Sequence, residues 1–384
     1  MNGLIQRFKK LPGKSLFRKI EYACWKKLGY SLIKNGVIYR NGESIRDISH
    51  GQIGTTCLKS PPKLICLTGF GHSGSGAVAD LLSEYDGVAV QGYADKNCSL
   101  RTNSGMEFDF LRHAGGLFDL EAAMLSSNPF LQDAAVKKFL ALVAYYYYDN
   151  RCTYRTPLQA EARRFLDGII GEIISTANGY DYNPHLRMLG DRGFDLLYDH
   201  DSMRQGIFSL RKMSQDEFRS ICKDFLLAMF SQMTSSERIV LDQIVSDCTA
   251  DIDRYREYLG PMKLIAVCRD PRDVYATGIK LNEDWIPHKV GPFVKWYGKQ
   301  VASYSKLKDA DYLLLRFENL VLDYDRTVSN IEHFLGLSPK AHLHHNSGFD
   351  PSVSIHNVGI YKSHVPEFEA IAIESELKEF CFNG

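Results

Sequence analysis

Apolar runs of strand length alternate with segments of helical periodicity along much of the chain. The run Lys63–Thr68 (KLICLT) predicts a buried strand, and Gly76–Tyr85 (GAVADLLSEY), which follows a glycine-rich turn, has helical periodicity. Gly87–Val90 predicts the next strand. Further strand signals, each followed by a helical segment, occur at Ile239–Leu241, Lys263–Cys268 and Tyr312–Arg316. This order predicts an α/β domain in which helices flank a parallel, doubly wound sheet.

Between residues 117 and 236 the pattern is mostly helical. Helices are predicted at Glu121–Leu125, Ala134–Tyr148, Pro157–Ala177 and Asp216–Met233. We interpret residues 117–236 as a mostly helical insertion that determines specificity, within one domain that covers residues 60–384.

Residues 1–59 are predicted to form a basic helical extension ahead of this domain. Apolar side chains recur at every fourth position from Leu16 to Leu28, and Arg18, Lys19, Lys26 and Lys27 lie off that stripe. Such a helix either packs on the domain, which is the interpretation we favour, or lies on a membrane surface.

Charge and cysteine content exclude several classes of protein. Basic and acidic side chains balance at 46 each, so no net field attracts nucleic acid. Nine cysteines, an odd number without a CxxC pair, suggest neither a disulfide framework nor a zinc site, and they favour a reducing cytoplasm. The longest apolar run, Phe139–Tyr148, is too short to span a membrane. Because His342, His344 and His345 lack a cysteine or carboxylate at ligand spacing, we expect a solvated loop there and no metal.

The turn between the first strand and helix reads Gly69-Phe-Gly-His-Ser-Gly-Ser-Gly76. Glycines permit a tight turn whose N–H groups face an anion, and the helix N-terminus adds partial positive charge. Ser73 and Ser75 are further hydrogen-bond donors. The spacing is similar to a Walker A loop, but Ser75 replaces its lysine, which weakens an ATPase or GTPase interpretation. The alternative is a turn that only packs the helix on the strand.

A second strand runs into a charged turn and a helix at Lys263–Thr277 (KLIAVCRDPRDVYAT). Arg269 leaves the strand at its carboxyl edge, where open α/β sheets bind ligands, and Pro271 suits the first helical position. Thr277 is predicted to share a bound oxyanion with Arg269. The alternative is an arginine–aspartate network that caps the helix.

Together these two elements resemble the sulfotransferases that use 3'-phosphoadenosine 5'-phosphosulfate (PAPS), which have a P-loop-like α/β fold. A third segment, Leu313–Leu337, resembles a strand and helix of the same family. The resemblance implies that the loop residues Gly71, His72, Ser73, Gly74, Ser75 and Gly76 hold the 5'-phosphosulfate. It also implies that Arg269 and Thr277 bind the 3'-phosphate, and that Lys362, in a polar loop near the C-terminus, contacts a phosphate.

Residues 107–121 resemble a segment of bacterial carbohydrate sulfotransferases that act on cell-surface polysaccharides. This resemblance implies a carbohydrate or glycolipid acceptor. From the cysteine content we expect a cytoplasmic protein, and the basic helix at Leu16–Leu28 gives peripheral contact at the inner face of the membrane as a second interpretation.

The expected catalytic groups are His72, Glu107 and Asp242. His72 stands where the family usually has a lysine or arginine that neutralises the leaving group, so it either acts as an imidazolium or only hydrogen-bonds the donor. Glu107 is the first candidate for the base that takes the acceptor proton, Asp242 the second and Asp109 the third. Two alternatives stay open: a catalytically silent nucleotide-binding protein and a nucleotide kinase.

Overall fold

Backbone contacts divide the chain into two compact units, Met1–Thr55 and Thr56–Gly384. A computed structural model describes residues 39–40, 43–44, 62–90, 110–111, 115–148, 155–175, 206–233, 236–245, 252–302, 304 and 311–382. Within the first unit it describes an antiparallel pair, Tyr39–Arg40 with Glu43–Ser44. The amphipathic helix expected at Leu16–Leu28 lies outside the described residues, and the boundary expected at residue 60 stays a prediction.

The second unit contains a sheet of five parallel strands. The strands are β1 (Lys63–Gly69), β2 (Val88–Val90), β3 (Arg238–Val245), β4 (Met262–Cys268) and β5 (Tyr312–Arg316). They lie in the order β2-β3-β1-β4-β5, and each neighbouring pair is parallel. The first strand of this sheet along the chain, β1, is therefore central, and the chain reverses its winding direction there. This confirms the predicted parallel, doubly wound sheet.

Helices occupy most of the described chain between and after the strands. They are α1 (Ser75–Leu82), α2 (Leu117–Leu125), α3 (Pro129–Tyr148), α4 (Arg155–Ile169), α5 (Gln215–Met233), α6 (Ile252–Leu259), α7 (Pro271–Leu281), α8 (Val290–Ala302), α9 (Phe317–Leu322), α10 (Tyr324–Leu335), α11 (Pro351–Ser354), α12 (Tyr361–His364) and α13 (Glu367–Leu377). Short 3₁₀ turns lie at Pro339–Ala341, Ile355–Asn357 and Lys378–Phe380. Among the described residues, no helix combines the length and the apolarity needed to cross a membrane.

Both faces of the sheet are covered, which explains why its strands are continuously apolar. In β1, Leu64 and Cys66 join a core cluster with α2 to α6, whereas Ile65 and Leu67 join a second cluster with α1 and α10. Successive side chains of a strand point to opposite faces, so all four are buried. A third cluster packs α7, α8 and α13 against the end of β4.

One helix prediction is wrong over its last third. The helix predicted at Pro157–Ala177 ends at Ile169, and Ile170–Ser175 forms a strand that pairs antiparallel with Gly206–Leu210. The sequence IGEIIS is rich in β-branched residues, which favour strands. In addition, side chains of α3 cap the partner strand: Gln132 Oε1 accepts from Leu210 N (2.9 Å) and Asp133 Oδ1 from Phe208 N (3.0 Å).

A buried carboxylate ties the end of α1 to the segment that follows α10. Glu84 is fully buried, and its Oε1 accepts hydrogen bonds from the backbone N–H of Gly348 (2.9 Å) and of Phe349 (2.8 Å). Its Oε2 lies 2.5 Å from His342 Nε2. The expected solvated histidine cluster is therefore wrong for His342, which is buried because it pairs with this carboxylate, whereas His344 and His345 are exposed.

We predict that Glu84→Ala lowers the free energy of unfolding by about 3 kcal/mol, because it leaves the buried N–H of Phe349, the N–H of Gly348 and the buried His342 without their partner. Urea denaturation measures this loss. Glu237→Gln is the matched control, since that carboxylate is 83% exposed and 4.0 Å from Arg238, and it should change stability by less than about 0.5 kcal/mol. Equal effects of the two substitutions would contradict the role of Glu84.

Candidate functional site

The glycine loop joins the carboxyl end of β1 to the N-terminus of α1. Gly74 precedes the helix with φ +96°, and a Cβ at this position would also meet the ring of Phe317 at 2.6 Å, so only glycine fits. The loop borders a cavity of about 1050 Å³, lined here by Gly71, His72, Gly74, Ser75 and Gly76. The first N–H groups of a helix have no intrahelical partner and can bind an anion.

The two serines of the loop occupy different environments. Ser75, at the start of α1, lines the cavity. Ser73 is 1% exposed and is not part of the lining. Ser75 is therefore the hydroxyl that the structure places beside the cavity, whereas Ser73 packs inside the turn.

His72 sits at the tip of the loop with φ 61°. Its ring stacks on Trp285, with centroids 5.5 Å apart, and its Nε2 is buried without a hydrogen-bond partner among the described residues. Burial lowers the pKa of His72 most, Glu283 opposes this shift and Arg269 adds to it. These surroundings favour the neutral imidazole, opposite to the protonation that a nearby anion would favour.

Arg269 and Thr277 lie together beside this loop. Arg269 directly follows β4 and is 5% exposed. Its Nη1 donates to Thr277 Oγ1 (3.3 Å) and to the His72 carbonyl (3.2 Å), and its Nη2 donates to the Asn357 carbonyl (2.6 Å). Its Nε is buried without a partner in the described part of the chain. The two sequence elements thus meet where Arg269 contacts His72, although Arg269 and Thr277 themselves are not part of the cavity lining. Burial lowers the pKa of Arg269.

The arginine–aspartate network considered as an alternative is also present. Asp270 caps α7 through Arg272 N (2.8 Å), binds the Arg272 guanidinium (2.7 Å) and accepts from Phe382 N (2.8 Å). Asp273 accepts from the N–H groups of Gly359 (2.8 Å) and Tyr361 (3.0 Å). The charged turn therefore caps a helix and also holds the C-terminal segment over Arg269.

Lys362 does not reach the cavity in this structure. It lies in α12, is exposed, and is not part of the cavity lining. Two other residues of the same polar loop, Ser354 and Asn357, do line the cavity. The loop therefore borders the site, but through these polar groups.

The side chains of the three candidate bases lie outside the described part of the structure. Glu107 and Asp109 lie outside them. Asp242 was expected after a strand, but β3 continues to Val245, so Asp242 lies within it. The reason is that pairing with β1 resumes after a register shift opposite Cys66 to Thr68. The side chain of Asp242 is outside the described part of the structure.

Two tryptophans complete the cavity and were not anticipated. Trp285 and Trp296 both line it, and their ring centroids are 6.4 Å apart. A Cβ at Gly71 would lie 1.4 Å from the Trp285 ring, so this glycine makes room for the indole. The chain has only three tryptophans, and this scarcity is the one sequence feature that could have drawn attention to these two residues.

Comparison with known proteins gives only remote similarity. No family model and no curated protein matches the chain. Among solved structures, it is similar to the sulfotransferase domain of the Synechococcus PCC 7002 olefin synthase (11% identity, 84% of this chain and 97% of that chain, TM-score 0.38). It is also similar to the sulfotransferase domain of the curacin biosynthetic pathway (11%, 83% and 99%, 0.37) and to a sulfotransferase of Mycobacterium tuberculosis (14%, 78% and 77%, 0.33). Similarity at this level establishes neither a shared substrate nor a shared mechanism, so the function must be inferred from the residues of the site.

Proposed function

We propose that this protein transfers a sulfuryl group from PAPS to a hydroxyl group of a carbohydrate. The observation that carries the proposal is the contact of Arg269 with both the glycine loop and Thr277. The resemblance in the sequence requires these groups to bind opposite ends of one nucleotide. They are distant in the chain, yet Arg269 contacts the carbonyls of His72 and Asn357, two residues that line the cavity.

The residues present suit an adenosine phosphosulfate. The loop N–H groups and the N-terminus of α1 offer donors to the 5'-phosphosulfate, with Ser75 as a hydroxyl donor. Arg269 and Thr277 would hold the 3'-phosphate. The buried Nε2 of His72 and Nε of Arg269, both unpartnered among the described residues, are groups that a bound anion would satisfy.

In the proposed reaction the acceptor oxygen bonds to sulfur while the bond from sulfur to the 5'-phosphate oxygen breaks. The acceptor proton passes to a base, for which Glu107 remains our first candidate. Adenosine 3',5'-bisphosphate leaves with the added negative charge, which His72 and the loop N–H groups would stabilise. The protein contributes alignment and electrostatic stabilisation, as in phosphoryl transfer.

We predict that the protein binds adenosine 3',5'-bisphosphate and that Arg269→Ala weakens this binding about 30-fold. The loss corresponds to about 2 kcal/mol, the contribution of a hydrogen bond to a charged group. Titration calorimetry measures both affinities.

Arg316→Ala is the control for this measurement. Arg316 also donates to two backbone carbonyls, of Phe380 (2.7 Å) and Glu379 (3.1 Å), but neither carbonyl belongs to the glycine loop. Its loss should leave nucleotide affinity unchanged. A folded parent protein without affinity for the bisphosphate, or with preference for ATP and magnesium, would refute the proposal; the second result would favour a kinase.

We predict that nucleotide binding raises the pKa of His72. In the free protein this imidazole should titrate below its usual 6.5, because burial disfavours its charged form. A bound phosphate favours that form, so bisphosphate affinity should increase as pH falls through the pKa of the complex. NMR titration of the histidine C–H signals, assigned with His72→Gln, measures the change. An unchanged or lower pKa in the complex would place the phosphates away from His72.

We predict that Glu107→Gln lowers turnover at least about 100-fold without weakening bisphosphate binding, because it removes the base but no donor contact. The assay follows release of adenosine 3',5'-bisphosphate from PAPS with a panel of carbohydrate acceptors. Asp242→Asn is the companion variant, and loss of turnover there alone would move the base to Asp242. Binding without turnover in the parent would support a catalytically silent nucleotide-binding protein.

A further inference from the structure

Trp285 is held firmly at the edge of the proposed site. Its ring lies over His72, and its Nε1 donates to Glu283 Oε2 (2.8 Å). Glu283 is itself fixed, since its N–H donates to the Gly278 carbonyl (3.0 Å) at the end of α7. Trp285 nevertheless remains 49% exposed and lines the cavity. An aromatic surface fixed in this way can bind a ring with little loss of conformational entropy.

Another part of the cavity lining is polar. It is formed by amide, hydroxyl and carboxylate side chains: Asn346, Ser347, Asn357, Ser354, Asp80 and Asp350. Glu84 holds part of this wall in place through the N–H groups of Gly348 and Phe349. Amide and carboxylate groups hydrogen-bond hydroxyl groups well. The two carboxylates repel any anion held against them, so we expect the phosphates at the glycine loop and an uncharged ring at this polar part of the lining.

We propose that Trp285 is the stacking platform for an uncharged sugar ring of the acceptor, and that the polar wall binds the hydroxyl groups of that ring. This inference rests on the proposed sulfuryl transfer and makes the acceptor class more specific: a neutral glycan rather than one rich in uronic acids or sulfate. Aromatic rings bind the C–H face of a sugar, and a few polar groups then fix its orientation.

The position of the platform also suits the reaction. The indole packs against His72, the loop residue expected beside the transferred sulfuryl group. A ring stacked on Trp285 therefore lies near the glycine loop. Stacking of the adenine base on the same indole is the competing arrangement.

The test compares glycan binding with nucleotide binding in matched variants. The parent, Trp285→Ala, Trp285→Phe and Phe368→Ala are applied to an array of neutral and uronate-containing oligosaccharides, with adenosine 3',5'-bisphosphate present. Phe368 is a control because it is 71% exposed on α13 and does not line the cavity. Calorimetry gives the bisphosphate affinity of each variant.

We expect the parent to bind neutral oligosaccharides in preference to uronates. Trp285→Ala should bind them about tenfold more weakly, Trp285→Phe should lose less, and Phe368→Ala should match the parent. Bisphosphate affinity should stay within about twofold in Phe368→Ala, and in Trp285→Ala it should change far less than glycan affinity, because the indole adjoins the nucleotide site only through His72.

Four results would overturn the platform while leaving the proposed function intact: a preference for uronates, no glycan binding by the parent, unchanged glycan binding in Trp285→Ala, or a loss of bisphosphate binding in Trp285→Ala. The last would assign the indole to adenine. Failure of the parent to bind bisphosphate would instead refute the proposed function, and the array would still report on the platform.

Discussion

The guanidinium group of Arg269 joins three segments that are distant in the chain. It donates to the carbonyl of His72 in the glycine loop, to the hydroxyl of Thr277 on α7 and to the carbonyl of Asn357 near the C-terminus. The cation is buried, so these neutral acceptors replace the water that it loses. A phosphate would be a stronger partner than two carbonyls, because it carries the opposite charge. The same contacts that hold the site together therefore make it ready to bind an anion.

The glycine loop and the Arg269 turn could be predicted because their information is local. Glycine spacing, the apolar run before the loop and Pro271 after the second strand each act over a few residues. The parallel strands were predicted for the same reason, since they are short apolar runs with clear ends. The proximity of the loop and the turn follows from the fold, because the carboxyl ends of parallel strands lie at one edge of the sheet.

Other features depend on contacts that no local pattern records. The sequence predicts a helix at Ile170–Ser175, because a short apolar run fits a helix as well as a strand. The segment is a strand because it pairs with Gly206–Leu210, which is distant in the chain. The sequence predicts that the strand ends before Asp242, whereas β3 resumes its pairing with β1 beyond the register shift. No residue type in this segment indicates that the pairing resumes. Trp285 lies far from Gly71 in sequence, and its position over the loop follows from the packing of α7 and α8 against Phe70 and the end of β4. The burial of His342 likewise depends on Glu84.

The imidazole of His72 imposes a constraint that a lysine would not. A lysine in this position would carry its charge with or without a ligand, whereas the half-buried imidazole is favoured in its neutral form until an anion raises its pKa. The positive charge at the loop would then come from the N-terminus of α1 and from Arg269, and the charge on His72 would appear as the nucleotide binds. Because Trp285 covers one face of the same imidazole, its environment also depends on the indole. An acceptor ring on Trp285 would exclude water from His72, which strengthens each electrostatic contact at the point where the leaving phosphate gains charge.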